Sequence, residues 1–177
     1  MMDKFILRAQ NRAVLPDGAV LHASAVGEMN FSLLFLAPSG GGKSTIRTIL
    51  TRSMFAGIGD DSVVVAKGTD SIIRSLPCGS MKQGTGVENI GGAPLKAVFF
   101  LEKGAPGMLI QVSPEYAFYR ITVNNPVMAW SELHSNEQKQ AMRFLEKLTK
   151  DFPFYILRYH LDETPEKLLE WTLEQNN

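Results

Sequence analysis

A length of 177 residues suits one domain, and a hydrophobic content of 45% permits a sizeable core. Lysine plus arginine and aspartate plus glutamate number 18 each, so the formal net charge is zero and neither nucleic acid nor an anionic membrane is expected as a partner. A single cysteine, Cys78, excludes an intrachain disulfide framework. The first residues do not start a signal peptide, and no apolar run approaches the ~20 residues that span a bilayer. We therefore expect a cytoplasmic protein with one domain over residues 1–177.

Three strands are predicted in the first third of the chain. Phe5–Arg8 and Val20–Val26 are short apolar patterns, and Asp17-Gly18 between them is a turn signal. Phe31–Leu36 is a nearly continuous apolar run, as expected of a strand buried on both faces. Because only a short segment separates Val20–Val26 from Phe31–Leu36, we expect these two strands to pair as a hairpin.

The middle of the chain predicts one helix and three further strands. Ser44–Phe55 has apolar residues on one helical face, and Gly57 and Gly59 are predicted to end this helix. Val63–Val65, Ser71–Leu76 and Leu95–Leu101 have strand patterns. The glycine-rich segment Pro77–Pro94 is predicted to be irregular. Long structureless loops in compact domains are often functional lids, which makes this segment a candidate lid.

The last third of the chain is predicted to be mostly helical. Ser113–Val123 begins with an N-cap serine followed by proline at the first helical position, and Ser135–Asp151 is a longer helix with Ser135 as its predicted cap. Phe154–Tyr159 returns as a strand, and Thr164 opens a final helix. The predicted fold class is therefore α/β, a single P-loop domain with a mixed β-sheet and flanking helices.

A glycine-rich loop between the buried strand and the first predicted helix carries the strongest functional signal. Its sequence, Ala37-Pro38-Ser39-Gly40-Gly41-Gly42-Lys43-Ser44-Thr45, departs from the strict Walker A pattern only at its first position, where alanine replaces glycine. Consecutive glycines allow backbone N–H groups to converge on phosphate oxygens, and the helix start adds positive potential. The lysine adds a full charge beside the β- and γ-phosphates, and the serine hydroxyl is a ligand for Mg²⁺. The alternative is an ordinary glycine-rich turn.

We therefore predict that this loop binds ATP, with GTP as an open alternative, together with Mg²⁺. The predicted nucleotide-binding residues are Ser39, Gly40, Gly41, Gly42, Lys43, Ser44 and Thr45.

Two adjacent acids, Asp60 and Asp61, follow the loop at the start of the next predicted strand. Enzymes with such loops need a carboxylate to hold the metal and often another to orient or deprotonate the acceptor. Adjacent residues of a strand point to opposite faces, so both acids can reach one site only if the backbone is irregular there. A solvated turn before the strand is the alternative interpretation.

The order of these features resembles a known family. His22 on a strand, a hairpin, the glycine-rich loop, a helix and then Asp60-Asp61 resemble the catalytic domain of HPr kinase/phosphorylase and the smaller HPr-kinase-like proteins. Those proteins are related more distantly to ATP-dependent phosphoenolpyruvate carboxykinase. The resemblance covers Val20–Val65 and continues more loosely through residues 94–102.

The resemblance implies an HPr-kinase/PEP-carboxykinase-like fold and a role for each matching residue. Lys43 and Ser44 would bind phosphates and Mg²⁺, and His22 would lie near the reacting phosphate. One of the two aspartates would be the base for an acceptor serine, and both would lie near the metal. The implied catalytic residues are Asp61, Asp60 and His22, and the implied metal ligands are Ser44 and Asp60.

Three functions are therefore considered. The first is an Mg²⁺-dependent kinase that transfers the γ-phosphate of ATP to a serine or other hydroxyl of a protein or peptide partner. The second is a non-catalytic module whose nucleotide controls partner binding, because residues 77–84 contain no carboxylate where the bifunctional relatives have one. The third is a small-molecule kinase. A homo-oligomer is compatible with all three.

Two arginines outside these motifs, Arg74 and Arg120, have the donor geometry for phosphate. Every domain exposes many arginines, so we expect both to be solvated surface residues. His134 and His160 show no metal-ligand spacing.

Overall fold

The computed structural model describes residues 4–53, 55–70, 72–78, 92–104 and 107–159, together with residues 164 and 167. These residues form an α/β structure in which a nine-stranded mixed sheet carries helices on both faces. No helix in the described ranges has the length and apolar character needed to cross a membrane. In chain order the elements are α1 (Lys4–Val14), β1 (Gly18–Leu21), β2 (Ala23–Glu28), β3 (Phe31–Leu36), α2 (Lys43–Ser53), β4 (Ala56–Gly59), β5 (Val63–Lys67), β6 (Ile73–Pro77), β7 (Ala93–Lys103), β8 (Met108–Val112), α3 (Pro114–Asn124), a 3-10 turn (Trp130–Glu132), α4 (Ser135–Asp151) and β9 (Phe154–Tyr159).

Strand β7 is the centre of the sheet. It pairs in parallel with β3 on one side and with β9 on the other, and its first residues pair antiparallel with β6. Strands β2 and β4 extend the sheet beyond β3, β5 and β1 extend it beyond β6, and β8 pairs antiparallel with β9. Because β3, β7 and β9 run in the same direction, their carboxyl ends meet at one edge of the sheet.

The residues of β3 alternate between two hydrophobic cores. Leu34 and Leu36 pack in the core that contains residues of α3 and α4. Leu33 and Phe35 pack on the opposite face, in the core that contains Ile46 of α2. A strand whose successive side chains are buried on both faces requires a continuous apolar sequence, as observed here.

Most predicted elements are confirmed, but the first two strands were wrong. Phe5–Arg8 lies within α1, where Leu7 and Asn11, one helical turn apart, are buried. A short apolar pattern fits either element, and the spacing of these two residues is helical. The predicted strand Val20–Val26 is broken at His22, so that β1 pairs with β5 while β2 pairs with β3 and β4. The hairpin of β2 and β3 is confirmed.

The sequence-based prediction missed two strands, β4 and β8. In Ala56–Gly59 the glycines were interpreted as the end of a helix, but they belong to β4. Met108–Val112 forms β8, whose sequence is apolar at four of five positions although none of its side chains is fully buried. His134, and not Ser135, is the cap residue of α4, and its N–H donates to the Glu137 carboxylate at 2.7 Å.

The predicted irregular segment lies outside the described residues except at its ends, as does the predicted C-terminal helix except for residues 164 and 167.

Buried Asn11 fastens α1 to the sheet. Its side-chain amide donates to the carbonyl of Met128 at 2.8 Å and to that of Leu7 at 3.2 Å. Its carbonyl oxygen accepts the N–H of Val20 at 2.9 Å. One fully buried amide therefore satisfies backbone groups of α1, of β1 and of the segment after α3.

Replacing this amide should destabilise the fold. We expect Asn11→Leu to lower the free energy of unfolding by about 1–3 kcal/mol, because the buried Val20 N–H loses its acceptor. Urea unfolding followed by circular dichroism measures the change. Ala13→Leu, at an exposed position of the same helix, is the control. An equal loss in both variants would contradict the role of the Asn11 hydrogen bonds.

Candidate functional site

The glycine-rich loop connects the carboxyl end of β3 to the first residue of α2. Gly40 has φ +73° and Gly42 has φ +98°, a region of backbone conformation that favours glycine. The Gly41 N–H donates to the carbonyl of Pro38 at 2.9 Å, which closes the turn. A Cβ on Gly42 would lie 2.2 Å from the hydroxyl oxygen of Tyr159, and that hydroxyl donates to the Gly42 carbonyl at 3.2 Å. Glycine at position 42 is therefore required both by φ and by this close approach.

Lys43 folds back over the loop. Its Nζ donates to the carbonyls of Ala37 at 2.8 Å and Pro38 at 3.1 Å, and the residue is 6% exposed. Burial lowers the pKa of Lys43, while the nearby Asp61 and Asp60 carboxylates oppose that shift. Both hydrogen-bond acceptors are uncharged, so the positive charge of the ammonium is held in place without being neutralised by them.

The two aspartates follow the end of β4 and contact different partners. Asp60 Oδ1 accepts a hydrogen bond from the Ser44 hydroxyl at 2.9 Å. Asp61 Oδ1 lies 3.1 Å from Nε2 of His22. Asp61 has φ +68°, and this left-handed conformation is the backbone irregularity that lets adjacent carboxylates contact one site.

These residues surround an open cavity of about 250 Å³ beside the loop. Of the predicted residues, Gly41 and Asp60 do not line it, although the Asp60 carboxylate is hydrogen-bonded to Ser44, which does. The lining residues are His22, Ser39, Gly40, Gly42, Lys43, Ser44, Thr45, Asp61 and Lys103.

Lys103 was missed by the sequence analysis. It is the last residue of β7, and its Nζ donates to the carbonyl of Gly40 at 2.9 Å. Its position at the end of a strand could have indicated a role in the site. A charged residue at the end of a buried parallel strand lies at the carboxyl edge of the sheet, where α/β proteins bind ligands. That signal requires knowing that β7 is parallel to β3.

The two arginines expected to be solvated surface residues are both partly buried and ion-paired. Arg74 is 22% exposed at its side chain and forms an ion pair with Asp70 in the turn between β5 and β6. Arg120 is 19% exposed at its side chain, and it forms an ion pair with Glu102 at 2.8 Å. The expectation of two freely solvated arginines was therefore wrong, and at Arg120 the cover comes from α3, which packs on the sheet beside β7.

The site offers oxygen ligands but no larger cluster of metal-binding side chains. Among the described residues, no group of three or more His, Cys, Asp and Glu side chains could hold a metal. Ser44 Oγ and Asp60 Oδ1 form an adjacent pair of oxygens. Mg²⁺ usually takes one or two protein oxygens and completes its shell with phosphate and water, so this pair fits that ion.

Comparisons with known proteins assign no family. No protein-family model matches the chain, and no curated protein matches it. Among solved structures, the Hpr(Ser) kinase/phosphatase from Coxiella burnetii is similar, with a TM-score of 0.49, 13% sequence identity and coverage of 89% of each chain. The likeness is a distant one of fold, and it identifies no function.

The glycine requirement at position 42 can be separated into its two causes. We expect Gly42→Ala to reduce the free energy of unfolding more than Gly40→Ala, because a Cβ at Gly40 meets nothing within 4 Å and carries only the cost of its φ. That cost is about 1–2 kcal/mol. Adding Tyr159→Phe to Gly42→Ala should recover part of the loss by removing the clashing hydroxyl. Urea unfolding of the single and double variants measures this, and equal losses at Gly40 and Gly42 would refute it.

The lowered pKa of Lys43 predicts a dependence of stability on pH. The unfolded chain binds more protons at this position than the folded protein does between the lowered pKa and the ordinary lysine value of about 10.4. Relative to Lys43→Met, the wild-type free energy of unfolding should therefore rise as pH increases through this window. Lys150 gives the opposite sign, because Glu146 raises its pKa. Its stabilisation relative to Lys150→Met should be lost as pH rises above about 10.4. Parallel trends in the two comparisons would contradict this assignment.

Proposed function

We propose that this chain binds ATP with Mg²⁺ at the glycine-rich loop and transfers the γ-phosphate to a hydroxyl acceptor. The family resemblance makes a serine of a protein partner the first candidate acceptor and a small molecule the second. One observation carries the proposal: Lys43, Ser44, His22 and Asp61 line a single cavity. GTP is the alternative nucleotide.

The phosphates would be held by the loop and by two lysines. The Lys43 ammonium has three N–H bonds, of which carbonyls accept two, so one can be donated to a phosphate oxygen. The loop N–H groups at the start of α2 favour the same anion. Lys103 adds a second ammonium, which donates to the carbonyl of Gly40.

Ser44 and Asp60 would hold the metal. Their oxygens are already within hydrogen-bond distance, so both can turn to a cation with little movement. Mg²⁺ bound there would neutralise charge that develops on the β- and γ-phosphates.

Asp61 would accept the proton of the acceptor hydroxyl. In the transfer, the hydroxyl oxygen forms a bond to the γ-phosphorus while the bond to the bridging oxygen breaks, and the electron pair of that bond leaves with ADP. The proton passes to the Asp61 carboxylate, which is 70% exposed at its side chain and therefore open to an acceptor. His22, 3.1 Å from Asp61, would orient that carboxylate and contact the reacting phosphate.

Different substitutions should impair ATP binding and phosphate transfer. We expect Lys43→Ala to weaken ATP binding by about 10–100-fold, since a charged hydrogen bond contributes about 1.5–3 kcal/mol. Lys103→Ala should weaken it by a smaller factor because its ammonium is more exposed. Asp61→Asn should retain binding and lose about 10²–10⁴-fold in transfer rate. Fluorescent-ATP titration and [γ-³²P]ATP labelling with candidate partners measure the two effects.

Asp70→Asn is the matched control for Asp61→Asn, because Asp70 is an exposed carboxylate paired with Arg74 away from the loop. It should leave both binding and transfer unchanged. ATP binding with no transfer to any acceptor would point instead to a non-catalytic module. Absence of ATP binding by the wild-type protein would refute the proposal.

A further inference from the structure

A second, more enclosed cavity of about 90 Å³ adjoins the loop cavity, and His22 lines both. Its walls come from the start of the loop at residues 37–38, the end of β7 at residues 100–101, and the C-terminal half of α3. A molecule bound in this cavity would therefore lie beside His22, which the proposed function places near the reacting phosphate.

Among the described residues that line this second cavity, Arg120 is the one with a permanent charge. Its Nη1 donates to Glu102 Oε1 at 2.8 Å, and its guanidinium carbon lies 4.8 Å from the centre of the Phe100 ring. The ion pair and the ring contact fix the plane of the guanidinium. A fixed guanidinium presents its remaining N–H groups in the fork geometry that suits a carboxylate.

The charge of this cluster is not balanced. Glu102 accepts from Arg120 through one oxygen and from Arg158 through the other, at 3.0 Å. Although burial raises the pKa of Glu102, the hydrogen bonds from Arg158 and Arg120 outweigh that effect, so its pKa is lowered and it stays ionised. One carboxylate shared by two guanidinium groups leaves one positive charge in excess, which favours an anion at the cavity.

The size of the cavity limits the anion to a small molecule. A cavity of roughly 150 Å³ holds benzene, which has six heavy atoms. The present cavity, at about 90 Å³, suits a molecule of that size or smaller when part of it projects towards His22. The side chain of a protein serine, with two heavy atoms, would fill little of it and would bring no charge to Arg120.

We propose that this cavity is the acceptor subsite and that the acceptor is a small hydroxy acid of two or three carbon atoms. This inference rests on the proposed phosphotransferase function and names its substrate. The carboxylate of the acid pairs with Arg120, and its hydroxyl lies beside His22 and Asp61. The hydroxyl oxygen bonds to the γ-phosphorus of ATP, the bridging P–O bond breaks with its electrons going to ADP, and the hydroxyl proton passes to Asp61. The products are ADP and the O-phosphorylated acid.

The test uses the full chain with ATP and Mg²⁺ and four acids: glycolate, L-lactate, D-glycerate and L-serine. Glycolamide, L-lactamide and D-glyceramide are the matched neutral acceptors for the first three acids, and L-serinamide lacks the carboxylate of serine but keeps its amino group. ADP release gives the rate, and ³¹P NMR identifies the phosphate ester. At least one acid should be phosphorylated, with kcat/KM at least about 10-fold above that of its amide, as expected for loss of a charged hydrogen bond.

Arg120→Gln and Arg158→Gln form a matched pair of variants. Both remove one positive charge and one partner of Glu102, but only Arg120 lines the cavity. Arg120→Gln should raise the KM for the acid by about 10–100-fold. It should leave the affinity for fluorescent ATP unchanged. Arg158→Gln should raise the KM for the acid by a clearly smaller factor, because it removes the excess charge but no hydrogen-bond donor that lines the cavity. If Arg120→Gln does not fold, Arg120→Lys and the comparison of acid with amide on the wild-type protein decide the question.

Equal use of acids and amides, or equal effects of the two variants, would overturn the acceptor assignment. Transfer to a protein serine with no transfer to any of the four acids would also overturn it and leave the phosphotransferase function standing. Failure of the wild-type protein to bind ATP would remove the proposed function itself.

Discussion

The parallel pairing of β3 with β7 and of β7 with β9 is the constraint on which the rest of the structure depends. It requires three buried strands to run in one direction, and it brings their carboxyl ends to one edge. The antiparallel strand β2 then starts at that edge, since Ala23 lies opposite Leu36, and β4 returns to it, since Gly59 lies opposite Ala25. His22, Asp61, Lys103 and Tyr159, from four other segments of the chain, therefore meet at the glycine-rich loop.

At this edge, the lysine ammonium groups are hydrogen-bonded to backbone carbonyls and not to carboxylates. The ammonium groups of Lys43 and Lys103 donate to carbonyls of the loop. A carbonyl orients a cation but leaves its net charge available, whereas a carboxylate would cancel it. The acids of the site contact a hydroxyl and an imidazole instead. The two ammonium groups thus donate to neutral acceptors, as suits a site that would receive both phosphates and a metal ion.

The sequence determined the elements with strong local patterns and failed where tertiary contacts decide. Continuous apolar runs identified β3, β7 and β9, and serine followed by proline identified the start of α3. The N-terminal apolar pattern was assigned to the wrong element because four residues fit a strand as well as a helix. Gly57 and Gly59 indicated a helix end, although they occur in a short strand. A propensity cannot show that β2 pairs with such a strand.

The candidate site was predicted in the same uneven way. Residues contiguous in the loop follow from one motif, so Lys43 and Ser44 were found directly. Asp60 and Asp61 could be named, but their separate partners depend on the left-handed backbone at Asp61. Lys103 and Arg120 lie far from the loop in sequence and approach it only through strand pairing and helix packing. No local pattern in the sequence records those distances.

At the break between β1 and β2, the main chain of His22 has the structural role and its side chain has the chemical one. The bend is held by main-chain bonds, since the His22 N–H donates to the carbonyl of Pro126 at 2.6 Å and the neighbouring strands pair with different partners. The imidazole contributes nothing to those bonds. The backbone position of residue 22 therefore does not depend on its side chain, and a different side chain there would face the same two cavities. The chemical group at this position can change while the bend in the backbone is kept.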